Sequence, residues 1–150
     1  MPEDTPEFVA DYLLYLLAAA SEGASAQFHA TVRKAGLRVP EWRVLACLHD
    51  SDGAMITQLA RLALVEQSRL TRIIMQMEER GLVVRQNDPR DGRRVRVFLT
   101  PDGRSMVGKL VPMAQAHEAD LLEQLGEQDS ASLKPMLRAL MKSLEEGNTR

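Results

Sequence analysis

The stretch EQSRLTRIIMQMEERGLVVRQNDPRDGRRVRVFLTPDGR, Glu66–Arg104, changes its hydrophobic period part-way along. Before Gly81, the residues Leu70, Ile73, Ile74 and Met77 stand at i, i+3, i+4 and i+7, the stripe of an amphipathic helix that a glycine closes. After Gly81 the period becomes two. LVVRQ and RRVRVFLT read as strands, joined by NDPRDG, whose Asp-Gly supplies a turn. In the second strand Val95, Val97 and Leu99 face one way, while Arg94, Arg96 and Phe98 face the other. The last eighteen residues of the stretch, Asn87–Arg104, hold five arginines, although the 150-residue chain has a formal net charge of −2.

Working outward, ITQLARLA reads as a short helix just ahead of the stretch, and PEWRVLACLHD as another that opens at Pro40. The face of that helix is Trp42, Leu45, Cys47 and Leu48, and it ends near DSDG. Further upstream, Phe8, Tyr12, Leu13, Leu16, Leu17 and Ala20 follow helical spacing in one long helix that Gly36 stops. Downstream, Thr100-Pro101 is a helix start, with a hydroxyl cap and a proline in the first turn. This helix runs to about Gly126 with a kink at Pro112, and a last one spans about Asp129 to Glu146. Pro135 fits either the first turn of that helix or a bend in it. The expected fold class is mainly α with a small β-hairpin. Its organisation is an N-terminal helix (1–36), a middle unit of helices and hairpin (37–100) and C-terminal helices (101–150).

Composition bounds the class. Apolar residues at 45% supply a core and charged residues at 27% a soluble surface. No run of eighteen apolar residues offers a membrane span. MPEDTPEFVA is acidic and lacks the basic and apolar regions of a secretory signal, and the single cysteine, Cys47, suits a reducing compartment. A cytoplasmic protein is expected. Charge is unevenly spread: Arg61–Arg104 carries ten arginines against six acidic residues, a net +4, which leaves −6 for the remainder. A basic middle between acidic ends fits a surface for a polyanion, and on charge alone it also fits a solvated face.

A short helix, a tight turn and a longer helix form the unit that places a recognition helix in the DNA major groove. With its apolar stripe turned inward, the longer helix leaves Gln67, Ser68, Arg69, Thr71, Arg72 and Gln76 outward. Arginine can grip guanine, glutamine can pair with adenine, and serine or threonine can contact bases or phosphates. The hairpin then acts as a wing, with Arg90, Arg93 and Arg94 near its tip. A narrow minor groove, with its enhanced negative potential, favours an inserted arginine. Asp88 is expected to pair with Arg94 and stiffen the wing, which leaves Arg90 freest to enter the groove. The other reading of these charges is that they keep an edge hairpin soluble.

The stretch Ile56–Arg104 resembles the core of a MarR-family transcriptional regulator. LTR at Leu70–Arg72, EERGLV at Glu78–Val83 and DPRDGRRVRVFLTPDG at Asp88–Gly103 carry the resemblance. They include the family's D-x-R wing at Asp88 and Arg90 and its LT-x-x-G at Leu99–Gly103. PEWRVL at Pro40–Leu45 is similar to the family's second-helix opening, and the flanking helices match its dimerisation region more loosely. The resemblance implies a winged helix–turn–helix homodimer on a near-palindromic operator of double-stranded DNA, usually a repressor that a small ligand releases. One departure is VEQS, where many members begin the recognition helix with serine, threonine or aspartate. Glu66 there still suits the positive helix end.

The resemblance also implies an effector pocket between the dimerisation helices and the winged unit, placed here at Phe28, His29, Trp42 and Arg43. Aromatic faces beside a cation or an imidazole suit an aromatic carboxylate, and the same residues also serve ordinary packing. Cys47, among Val44, Leu45 and Leu48, reads as core rather than as an oxidant sensor. His29, His49 and His117 are too scattered for a metal site, and no cofactor is expected. No nucleophile–base pair, phosphate-binding glycine loop or metal-ligand spacing marks an enzyme. The rival class is a winged-helix protein–protein interaction module without DNA binding, distinguished by weak salt dependence and tolerance of Arg90→Ala.

Overall fold

Residues 7–149 are described by a computed structural model. The first six residues of the N-terminal segment, and Arg150, lie outside the described residues. The chain runs through α1 (Phe8–Asp11), α2 (Leu13–Lys34), α3 (Val39–Asp50), α4 (Ile56–Ala63), α5 (Gln67–Glu79), β1 (Val83–Asp88), β2 (Asp91–Leu99), α6 (Pro101–Glu123) and α7 (Glu127–Asn148). It divides into two compact units, Met1–Met113 and Ala114–Arg150. The fold class is as expected: helical, with one antiparallel hairpin.

The single N-terminal helix expected from spacing is interrupted. Tyr12 is extended (φ −78°, ψ 121°) and separates α1 from α2. No residue of α1 is buried, so packing does not impose a helical backbone there; the Phe8 and Tyr12 rings stack instead at 4.9 Å. At the other end of α2, Gly36 takes φ +82°. Its N–H donates to Arg33 O at 2.9 Å and the Leu37 N–H to Val32 O at 3.2 Å, so the last carbonyls are satisfied and Leu37 is buried against Val32's turn. Gly81 closes α5 in the same way, with φ +74° and bonds from Gly81 and Leu82 to Glu78 O and Met77 O.

The core of the first unit gathers Leu45 and Leu48 of α3, Leu59 of α4, Leu70, Ile74 and Met77 of α5, and Val83, Val97 and Val107, all fully buried. Inward faces of α3, α4 and α5 thus enclose a centre that the hairpin and the start of α6 cover. Phe28 and Val32 join it from α2. In the hairpin, Val83 pairs with Leu99 and Asn87 with Val95, and a bulge shifts the register before Asp88 pairs with Asp91. The turn therefore lies at Pro89-Arg90, not at Asp91-Gly92. Proline presets the turn backbone, and Asp88 Oδ1 accepts the Arg90 N–H at 2.9 Å, whereas Gly92 does not use a positive φ.

The sheet also gains an edge that periodicity did not announce. Met55 bridges Arg96; Gly53 N–H donates to Val97 O and Val97 N–H to Ala54 O, both at 2.9 Å. Thr100 caps α6 as expected: its Oγ accepts the Gly103 N–H at 3.0 Å and donates to Gly81 O at 2.6 Å. Pro112 lies inside α6. Pro135 lies in the interior of α7, which begins at Glu127 after an N-cap at Gly126, and not in its first turn. In the second unit Lys134 pairs with Glu118 at 2.8 Å, and no residue of α7 is buried.

Candidate nucleic-acid interface

The α4–α5 turn passes through Leu64, the one described non-glycine residue with positive φ (58°). This left-handed residue ends α4, and α5 begins at Gln67 after Glu66. On α5, Gln67, Ser68, Arg69, Arg72 and Gln76 are exposed and Thr71 is half-buried, while Leu70, Ile73, Ile74 and Met77 point inward. Glu66 makes no side-chain cap; its carboxylate accepts the Ser68 hydroxyl at 2.7 Å. Thr71 donates to Gln67 O at 3.0 Å. Among the described residues the guanidinium groups of Arg69 and Arg72 have no hydrogen-bond or ion-pair partner. Gln76 stands at the far end of the helix, where its side-chain oxygen accepts from Arg38.

The arginines of the hairpin divide into two groups. Arg85 is a brace: its N–H donates to Glu78 Oε2 at 2.8 Å and its Nε to Oε1 at 3.2 Å, which fixes β1 to the end of α5. The Arg85 N–H bond, helped by the Arg85 side chain, holds the Glu78 carboxyl below its usual range against the opposing effect of desolvation. Arg96 is a second brace. It reaches Asp88 Oδ2 at 3.1 Å and donates to Gly53 O at 3.0 Å, pinning the wing to the loop after α3. The expected Asp88–Arg94 pair does not form. Arg96, anchored on its other side by Gly53, occupies the Asp88 carboxylate, and Arg94 comes only within 3.8 Å of Asp91. Asp88 itself is buried, and the Arg90 N–H, followed by the Arg96 side chain, keeps its carboxyl below the usual range. Arg90 and Arg93 are left exposed with unpaired guanidinium groups among the described residues.

Helix and wing meet. Gln67 and Thr71 of α5, Thr57 of α4, Arg85 of β1 and Arg93 and Arg94 of β2 line one open pocket of about 240 Å³. Polar hydrogen-bonding groups at the start of α5 therefore share a concave surface with the outward cations of the wing. Thr57, Gln58 and Arg61 of α4 border a second hollow of about 220 Å³ beside Met55. Sequence reasoning missed these three as candidates, although Arg61 opens the basic segment.

The same architecture occurs in solved structures. A MarR family transcriptional regulator from Silicibacter pomeroyi DSS-3 is 58% identical and superposes with a TM-score of 0.85, over 93% of this chain and 99% of that one. The chain belongs to the MarR family. The MarR family model matches residues 37–95, from just before α3 through most of the wing. The transcriptional repressor CouR, solved bound to a 23-mer DNA duplex, is 26% identical, with a TM-score of 0.80 over 93% of this chain and 99% of that one. BpsR of Bordetella bronchiseptica, whose DNA binding is regulated by 6-hydroxynicotinic acid, is 26% identical, with a TM-score of 0.78 over 87% and 99%.

This MarR-family chain is thus a DNA-binding transcriptional regulator and not an enzyme. Its four candidate effector residues come together at the α2–α3 contact. The Phe28 and Trp42 rings lie 5.4 Å apart at 60°, and His29 lies within the field of Arg43. Burial, then the charges of Arg43 and Arg33, push the His29 imidazole below its ordinary value. Cys47 is half-buried, and burial, then the charge of Asp50, raise its thiol, the opposite of an activated thiolate. Among the described residues no cluster of histidine, cysteine and acidic side chains could hold a metal, and no helix is long and apolar enough to cross a membrane.

Three bracing residues escaped the sequence reading: Asp52, Glu41 and Arg80. Asp52 accepts the Leu99 N–H at 2.8 Å and pairs with Arg104 at 2.9 Å. Each joins elements far apart in sequence, so no local pattern announces it.

Proposed function

We propose that the chain is a cytoplasmic, homodimeric, ligand-responsive repressor of a near-palindromic operator. The groove shared by α5 and the wing carries this reading. Gln67, Ser68, Arg69, Thr71 and Arg72 enter the major groove and read base edges or grip phosphates, while Arg90, Arg93 and Arg94 approach the adjacent minor groove. A helix start without a side-chain cap also offers its N–H groups to a phosphate. The DNA-bound state of CouR supports the assignment of partner.

Residues 37–100 form the reading head, and segments 1–36 and 101–150 the dimerisation region. Phe8, Leu13, Leu14 and Leu16 in the first unit, and Met136, Met141 and Leu144 in the second, are exposed apolar side chains that a second copy would cover. The two heads would then stand one DNA turn apart, about 34–36 Å. An aromatic carboxylate seated among Phe28, His29, Trp42 and Arg43 would favour a head spacing that does not match the operator. The 6-hydroxynicotinic acid response of BpsR supports that ligand class.

Selection from random duplexes tests the reading. An inverted repeat with half-sites about one helical turn apart is expected, with log affinity falling by about 0.9 per neutralised phosphate as log salt rises. Recovery of no enriched sequence, or binding indifferent to salt, would overturn it. Effector placement is tested by titrating 6-hydroxynicotinic acid and benzoic acid against operator complexes of wild type and of His29→Ala and Arg43→Ala. An unchanged response in both variants would remove these residues from the site.

A further inference from the structure

A buried carboxylate sits where three helices of the first unit converge. Glu41, in the first turn of α3, is 1% exposed. Its Oε1 accepts the Arg38 N–H at 2.8 Å and Arg38 Nε at 3.3 Å, and its Oε2 accepts Arg80 Nη1 at 2.8 Å. The other Arg80 nitrogen, Nη2, donates to Gly36 O at 2.6 Å, and the Arg38 guanidinium donates to Gln76. Gln76 and Arg80 are the last turn and the C-cap of α5; Gly36 ends α2; Arg38 opens α3. One carboxylate and two cations therefore tie the C-terminal end of the reading helix to the junction of the other two.

Val44, Leu48, Ile74 and Met77 are fully buried and hold the helices together. Charge-assisted hydrogen bonds add direction to that packing at the end of α5. The planar guanidinium of Arg80 divides its donors between a carboxylate and a carbonyl, a fork that an ammonium group cannot reproduce. The neighbours of the clamp matter too: Trp42 and Arg43 directly follow Glu41, and Gly36 continues from the helix that bears Phe28 and His29.

We infer that Glu41 and Arg80 are positioning residues that set the direction of α5 relative to α2, and through it the spacing of the two reading heads on DNA. Any shift of α2 on α3 reaches the reading helix through this clamp. The inference rests on the DNA-reading role proposed above and adds a device that governs it.

The test uses the inverted repeat that the full-length wild type selects from random DNA, together with duplexes whose half-sites are moved one and two base pairs closer or farther. Wild type should prefer its own spacing by about tenfold or more, comparable to a mismatched base pair. Glu41→Gln and Arg80→Lys should flatten that preference while each half-site keeps its base preference. Arg80→Lys keeps a positive charge beside Glu41, so it decides the matter if Glu41→Gln does not fold. A merely structural role would lower binding at every spacing in the same ratio, and a folded variant with the wild-type spacing profile overturns the inference. A wild type that selects no duplex overturns the DNA reading itself, a different and recognisable result.

Discussion

Arg93 and Arg96 lie on the same strand, yet the guanidinium of one is exposed with no partner among the described residues and that of the other bridges Asp88 and Gly53. Their substitutions should therefore fail in different ways. Arg93→Ala or Arg90→Ala should leave the melting temperature unchanged and lower the slope of log affinity against log salt by about one phosphate each. Arg96→Ala should instead lower the melting temperature and weaken binding at all salts, because the buried Asp88 carboxylate loses its cation. Thermal melts and anisotropy titrations at several salt concentrations separate the two. Asp88 has a depressed carboxyl, so its contribution to stability is present above the ordinary aspartate range and is lost only as pH falls through the lower folded value. His29 has the opposite chemistry with a related outcome. Its folded imidazole protonates below its ordinary value, so on acidification the unfolded chain takes up the proton first and stability falls. His29→Asn should flatten the decline in melting temperature between about pH 7 and pH 5, the window set by an ordinary histidine. An unchanged slope would mean that neither burial nor the charges of Arg43 and Arg33 shift this imidazole in the folded protein.

Elements were legible in the sequence where hydrophobic period and end signals coincided. The stripe of α5, the glycines that close α2 and α5, and the Thr100 cap all rest on neighbours within one turn, and they stand where spacing placed them. The errors came where two local signals competed or none existed. NDPRDG holds both Pro-Arg and Asp-Gly turn chemistry, and the Asp88 bond to the Arg90 N–H favoured the first. A bridge of one residue at Met55 has no period to detect. The choice of Arg96 over Arg94 for Asp88 depends on a carbonyl at Gly53, which strand alternation cannot reveal. For the same reason the candidate DNA residues of α5 and the wing could be named from sequence, but the division of the arginines into braces and free cations could not. The junction of wing and α6 offers an element-scale test. A Cβ built on Gly103 would lie 2.0 Å from Leu82 O, a backbone atom of the chain entering β1, so no side-chain rotation relieves the clash. Gly103→Ala should destabilise the protein by about 3 kcal/mol, at the upper end of overpacking costs, as read by chemical denaturation. Gly108→Ala, on the same helix with open space around its Cα, is the control and should be neutral or slightly stabilising.

At the scale of the molecule, charge is unevenly spread along the chain. The segment that holds α4, α5 and the wing is net +4 and the rest of the chain net −6, so in the proposed complex repulsion from phosphates falls outside the proposed reading surface. The rest of the chain also carries apolar residues that their own units leave uncovered. On α7, Leu133, Leu137, Leu140 and Leu144 recur at helical spacing, and all are exposed. A second copy, as in the proposed dimer, would cover such a stripe, and the consequence for affinity is calculable. Joining two heads makes the second half-site encounter intramolecular, which raises overall affinity by roughly 10² to 10⁴ without any new contact. Leu140→Glu places a charge in the stripe and leaves the residues of α5 and the wing unchanged. It should convert the protein to a monomer by light scattering and cost about two orders of magnitude or more on the full operator. On a duplex bearing a single half-site, where only one head can engage, the variant should bind as wild type does. Equal losses on full and half sites would show that the substitution damaged the reading head, and the α7 stripe would then have some purpose other than pairing the heads.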